Sequence, residues 1–436
     1  MSQHSDATRR FLLAAKHAEI KALKQLTSNC RVVTSVSELI HQLQRERGMS
    51  NIYLASKAQR FQNQRAEQIH NSQQSEELLR SLLNAQYLIG HESADNMRLL
   101  NSITVALQGI DHLSLLRMQV GDCKVDALAS SQAYCRLIAG LLSVVFEAAD
   151  VAGDPVITRL LVALFNFIQA KEYAGQERAW GAIGFAETHF DSTLCQRLEQ
   201  LQQAQEHCFS NFEEFANQAE RNLWQQVQQH PSTRSLVQMR SMIQQLADGS
   251  PIAAEISEVW YELATQRIDE MHQIEEQLAE RLLKVANQRV KEAEEELYNH
   301  KKQLKLLAAI EQPLDSSLSM LFDPSLPGLQ GIDVQNSVSV SQTDKLALHR
   351  SFYDLLRGQS ERIKHMADEL NEAKRAITEQ KRIDRAKLLL MQQLSMSEAD
   401  AYRTLQKRAM DEKVRIADMA EQVIKACPPG ATKLRA

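Results

Sequence analysis

Apolar residues recur every three or four positions from Arg9 to about Ala247, which is the period of an amphipathic helix rather than the alternation of a strand. Breaks are sparse: Asn71-Ser72, Gly90-His91, Gly121-Asp122, Gly153-Asp154-Pro155, His230-Pro231-Ser232 and Asp248-Gly249-Ser250-Pro251. The spacing predicts helices of roughly 15 to 40 residues with short connections, as antiparallel bundles require. A second stretch, Ile252 to Ile310, sets Met271, Ile274, Leu278, Leu282, Val285, Ala293, Leu297, Leu304 and Leu307 at helical spacing among dense Glu, Lys and Gln, the signature of a coiled-coil strut. Residues 313–344 hold three of the chain's eight prolines with several Gly and Ser, and read as a flexible hinge. Helix resumes after Asp344, with Ile363, Met366, Leu370, Ala373 and Ile377 at alternating steps of three and four. Gln380, Asp384 and Lys387 then fill core slots before Met391 and Leu394, and polar core slots fix register at a cost in stability. Ser397 is a natural N-cap for the first of two short helices that run to Ile424. The expected fold class is all-α: an elongated helical-bundle domain over 1–262, a helical connector and hinge over 263–343, and a coiled coil with a small helical bundle over 344–436.

Composition agrees. Gly 14 and Pro 8 make up about 5% of 436 residues, against roughly 12% in ordinary chains, so turns are few. The net charge of −5 is unevenly shared: Asp344 to Ala436 carries 19 Lys and Arg against 14 Asp and Glu, whereas the rest carries 31 against 41. A basic module follows an acidic body, which points to an anionic partner or to an ordinary solvated helix surface. Six scattered cysteines with no CxxC pair fit reduced thiols in a cytoplasm. The N-terminus has no apolar core of a signal peptide, and the longest apolar run, 137–146, is too short for a bilayer, which needs about 20 residues. The expected location is the cytoplasm.

Nucleotide-binding, metalloprotease and hydrolase motifs are missing. Two ExxH spacings, Glu38–His41 and Glu67–His70, allow a di-iron carboxylate oxidoreductase as an alternative, although Glu38 and His41 lie off the apolar stripe and surface coincidence is the simpler reading. The arginines say more. The stripe Val36, Ile40, Leu43 continues at spacing four to Arg47, where the period wants Leu. A second stripe, Leu164, Phe167, Ala174, Ala182 and Phe185, carries Lys171 and Arg178 beside the small residues Gly175, Ala179 and Gly181. Arg234 lies in the first turn of a helix begun at Pro231, where a cation opposes the helix dipole and a bound anion reverses the sign. An inward guanidinium needs either an internal carboxylate or a ligand, because losing water costs several kcal/mol. Three such groups without acids would enclose a small planar oxyanion. No catalytic acid, base or nucleophile accompanies them, so a sensor pocket is expected and not an enzyme.

The run RERGMSNIYLAS (45–56) with KEYAGQERA (171–179) resembles the NIT family of all-helical nitrate- and nitrite-sensing domains. That resemblance implies nitrate or nitrite held between helices by Arg45 or Arg47, Arg178 and Arg234, with Arg240 as a further candidate and no cofactor. In the tail, eleven Lys and Arg fall between 374 and 415 against six Asp and Glu, with Tyr402 among them, a composition that suits RNA loops or a dimerisation coil. The segment 382–424 resembles the ANTAR family, with Ala386, Lys387, Leu390 and Met391, then Glu398 to Leu405, matching its pattern. ANTAR modules bind paired RNA hairpins in leader transcripts of antiterminators, which implies RNA contacts by Arg382, Arg385, Lys387, Tyr402, Arg403, Lys407, Arg408 and Lys413. A homodimer, at least on RNA, is the implied assembly. A coiled-coil scaffold that binds neither anion nor RNA is the second alternative.

Overall fold

In the computed structural model the structure describes residues 2–88, 97–186, 190–245, 256–309, 347–394 and 398–426. The expected hinge at 313–344 and the Ser397 cap lie outside the described residues. Those described are all-α. The elements are α1 (Ser2–Ala55), α2 (Gln62–Leu83) ending in a π-helical turn at Asn84–Leu88, α3 (Met97–Asp111), α4 (Leu113–Gly121), α5 (Ala127–Val151), α6 (Pro155–Ala186) and α7 (Ser192–Phe215). Then come α8 (Gln218–Gln229), α9 (Pro231–Gln245), α10 (Ile256–Ala309), α11 (Ala347–Leu394), α12 (Glu398–Glu412) and α13 (Ile416–Ala426).

Caps set most boundaries. Asp126 accepts a hydrogen bond from Ala129 N at 2.6 Å to start α5, and Asp191 accepts one from Leu194 N at 2.7 Å to start α7. Asp154 receives Val156 N and Ile157 N at 3.0 and 3.1 Å ahead of α6, where Pro155 takes the first helical position. Asn217 and Glu220 form a capping box that begins α8.

Two expectations change. The first helix does not break near residue 71: α1 runs 54 residues, α2 passes through Asn71-Ser72, and Ser72 is buried at a helix contact. The chain turns instead at 56–61, where Lys57, Ala58 and Phe61 take positive φ of 51, 65 and 64°. Likewise, α10 is more than a strut. Its residues Ile268, Met271, Ile274, Leu278, Leu282 and Ala286 belong to the main core, packed against α1 and α6.

That core also takes the apolar run of α5, so Leu141, Leu142, Val144 and Val145 are buried between helices. No helix among the described residues is long and apolar enough to cross a membrane. A smaller cluster, built on Phe185, Phe190, Leu236 and Trp260, closes the end near α9. The C-terminal module has its own core of Ile383, Ala386, Leu390, Ala401, Leu405 and Val423, and α11 also packs on α5 and α6. Thus α6 touches α1, α5, α7, α10 and α11.

Candidate functional site: an arginine-lined cleft

Arg47 projects from α1 into α6, only 1% exposed. Its Nη1 and Nη2 donate to Glu172 Oε1 and Oε2 at 2.5 and 3.1 Å, and Nη1 also meets Cys135 Sγ at 3.0 Å. Burial opposes the charge, but Glu172 outweighs it and raises the guanidinium pKa. This corrects the expectation that Arg47 lacks an internal acid. The sequence pattern gave the inward direction but not the partner, which sits on another helix.

Arg178, 5% exposed on α6, has only neutral partners: Nη1 donates to Thr265 Oγ1 at 2.8 Å, Nη2 approaches Gln44 O at 3.5 Å, and the group stacks 4.8 Å from the Tyr261 ring. The two arginines are seated by two glycines. A Cβ on Gly175 of α6 would lie 2.5 Å from Arg47 Nη2, and one on Gly48 of α1 would lie 2.7 Å from Arg178 Nη2 and 2.6 Å from Tyr261 Oη. Any side chain at either position displaces the guanidinium that faces it.

Both arginines line a cleft of about 2020 Å³ between α1, α6 and α10, along with Arg45, Gly48, Gly175 and Tyr261. Gln44 Oε1 is buried without a partner beside it. The other sequence candidates divide. Arg45 is exposed at the cleft wall. Arg234 is exposed on α9 and forms no ion pair with a described residue, so it does not join the other two. Arg240 is held by Glu177, whose Oε1 and Oε2 accept from its Nε and Nη2 at 2.7 and 2.6 Å, so it too has the internal acid that the sequence reading left out.

Sequence reasoning missed a buried ionic ladder next to the cleft. Lys171, fully buried, pairs with Glu275 of α10, which also accepts from Ser37 of α1. His41 stacks on His272 with ring centroids 3.4 Å apart, and burial, then Lys171, drive its pKa far down, so it stays neutral. His70 contacts Gln74 instead, at 2.9 Å. Among the described residues no three His, Cys, Asp or Glu converge to hold a metal. Glu46, between Arg45 and Arg47, is completely buried and binds Arg117 at 2.8 Å and Tyr134 Oη at 2.7 Å. Only the helical period, which turns Glu46 inward, could have hinted at it.

In the C-terminal module Arg385, Lys407, Arg408 and Lys413 are exposed. The remaining candidates are engaged: Arg382 pairs with Glu421 at 2.9 Å, Lys387 with Asp384 at 2.8 Å, and Arg403 reaches Gln196 of α7 at 3.3 Å. Tyr402 is half-buried, its hydroxyl pKa raised by burial and then by Cys208 of α7. Lys381 joins Asp150 and Glu147 of α5 at 2.7 and 3.5 Å.

Residues 38–283 match the family described as nitrate and nitrite sensing, NIT, and residues 371–424 match the ANTAR domain. The chain is 29% identical over 413 residues to a nitrate regulatory protein of Klebsiella oxytoca, covering 94% of this chain and 93% of that one. It is also similar to the solved structure of the NasR transcription antiterminator, with a TM-score of 0.59 and 25% identity over 96% of this chain and 98% of the other.

Proposed function

Because the chain belongs to the nitrate- and nitrite-sensing family and carries an ANTAR domain behind its sensor, we propose that it is a nitrate- or nitrite-responsive regulator that binds leader RNA and prevents transcription termination. It works in the cytoplasm, where transcripts are made, and no catalysis is part of the reading. The observation that carries the sensing half is Arg178, a buried cation at a cleft wall with no carboxylate among its partners. An oxyanion there gains charged hydrogen bonds from Arg178, with Arg47 and Arg45 at hand, and a planar ion suits a planar fork.

The transmitting half rests on α6, which carries Arg178 and also packs against α11. On this reading the resting module lies on the sensor through Lys381, Arg403 and Tyr402. That arrangement withholds part of the RNA-binding surface while Arg385, Lys407, Arg408 and Lys413 stay open. Nitrate or nitrite binding repacks α1, α6 and α10, loosens the α11 contact and frees the module for RNA hairpins. Moving such a switch from 1:99 to 99:1 takes about 5.5 kcal/mol of differential affinity, within reach of several charged hydrogen bonds at about 1.5–3 kcal/mol each. A homodimer fits the half-empty seam of α11, where Ile363 is 68% exposed.

The test is a gel shift of leader RNA with the full chain. Saturating nitrate is expected to tighten binding by at least tenfold, and equal affinity with and without nitrate and nitrite overturns the proposal. The docking contact has its own check. Glu147→Lys with Asp150→Lys turns two attractions on Lys381 into repulsions, and it is expected to raise RNA affinity in the absence of nitrate about tenfold. Unchanged affinity would show that this contact holds nothing back.

A further inference from the structure

Along α10 the inward stripe changes character where it reaches the cleft. Met271 and Ile268 belong to the main core, but the next positions at helical spacing, Thr265 and Tyr261, carry hydroxyls and are half-buried at the cleft wall. Both meet Arg178 of α6. Thr265 Oγ1 accepts from Arg178 Nη1 at 2.8 Å and so holds one arm of the guanidinium in place. The Tyr261 ring lies 4.8 Å from the guanidinium carbon, and its hydroxyl makes no hydrogen bond to a described residue.

That hydroxyl and the other arm of Arg178 converge on the notch at Gly48. Tyr261 Oη and Arg178 Nη2 lie 2.6 and 2.7 Å from the place a Cβ would occupy there, beside bare α1 backbone. Glycine is a poor residue inside a helix, and Gly48 has the ordinary helical backbone of α1, so what it supplies is room and not backbone freedom. Nη2 has only a long approach to Gln44 O, at 3.5 Å. The acids of α10 on this wall do not claim it: Glu258 and Glu262 are exposed, and Glu258 pairs with Arg60 at 2.9 Å. Two donors from different helices therefore point at one place to which the protein brings no carboxylate.

Given nitrate or nitrite at Arg178, we infer that the Tyr261 hydroxyl is a second binding donor for the same ion, an assignment that rests on the sensing proposal and adds α10 to the ligand's contacts. One oxygen of the planar ion takes the Arg178 Nη2 donor and another takes Tyr261 Oη, with the ion laid against the open face at Gly48. A guanidinium with a neutral hydroxyl brings a single positive charge, which matches a monoanion. The hydroxyl also gives α10 a bond to the ligand that it lacks when the site is empty, so occupancy ties α10 to α6.

Tyr261→Phe is the test, since the ring that stacks on Arg178 stays and only an unpartnered hydroxyl is lost. Calorimetric titration of the full chain is expected to show the Kd for nitrate and for nitrite raised about fivefold. The thermal midpoint without either anion is expected to match the wild type, because no protein hydrogen bond is broken. Arg178→Gln is titrated alongside. Unchanged affinity in Tyr261→Phe, with weakened binding in Arg178→Gln, overturns the inference and leaves the sensing proposal standing. Unchanged affinity in both variants removes the sensing proposal and this donor with it. A midpoint lowered without anion would make the hydroxyl a structural group and overturn the inference as well.

Discussion

Glu172→Ala is expected to lower the unfolding free energy by about 3–5 kcal/mol, measured by urea denaturation without nitrate, because it leaves Arg47 charged, buried and without an acid. The Glu172 carboxylate accepts from Arg47 twice, from Gln44 at 2.9 Å and from Gln176 at 3.0 Å, so its removal strands donors on α1 and α6 together. Arg47 also lines the cleft, so nitrate should recover part of the loss in the variant and stabilise it more than it does the wild type. Replacing both partners by methionine should cost far less than the single change, since no charge is then left unmatched. A loss below about 1 kcal/mol for Glu172→Ala would mean that water from the cleft already solvates Arg47.

Arg178→Gln should do the opposite: little to the fold, much to the ligand. The arginine's partners are a threonine hydroxyl and a main-chain carbonyl, so its loss strands no buried charge and costs about 1 kcal/mol in stability. A charged hydrogen bond to the anion is worth about 1.5–3 kcal/mol, so the half-saturating nitrate concentration should rise about 10- to 150-fold. Titration of the full chain with nitrate, followed by calorimetry or by the RNA gel shift, reads this directly. An unchanged midpoint would move the ligand away from this guanidinium.

The contrast between the two arginines shows what the sequence could and could not reveal. Period alone put Arg47 and Arg178 on apolar stripes, and both are buried. It could not tell which one has an acid, because Glu172 reaches Arg47 only through the packing of α1 on α6. Gly175 stood out as a small residue near Arg178, but Gly48 gained meaning only when the two helices were seen together. Tyr261 and Thr265 went unnoticed because they sit in a stretch dense in charge, where an inward residue looks like a solvated one.

The all-α class and most breaks were legible, since Gly121, Asp154-Pro155 and Pro231 all mark real helix ends. The turn after Ala55 was not. Lys57, Ala58 and Phe61 are poor turn residues by their own preference, yet they take positive φ where Lys57 N donates to Leu54 O at 3.1 Å and Ala58 N to Tyr53 O at 2.9 Å to close the end of α1. The same limit hid the role of α10, since a coiled-coil stripe and the inner face of a bundle helix have nearly the same spacing.

The paired glycines of α1 and α6 set how closely the two helices approach. Each helix carries a notch opposite the other's arginine, so a side chain at Gly48 or Gly175 would press on a guanidinium at the cleft rather than on a neutral wall. Because α6 carries one of these notches and also packs against α11, the seat of Arg47 and the C-terminal module share a single helix.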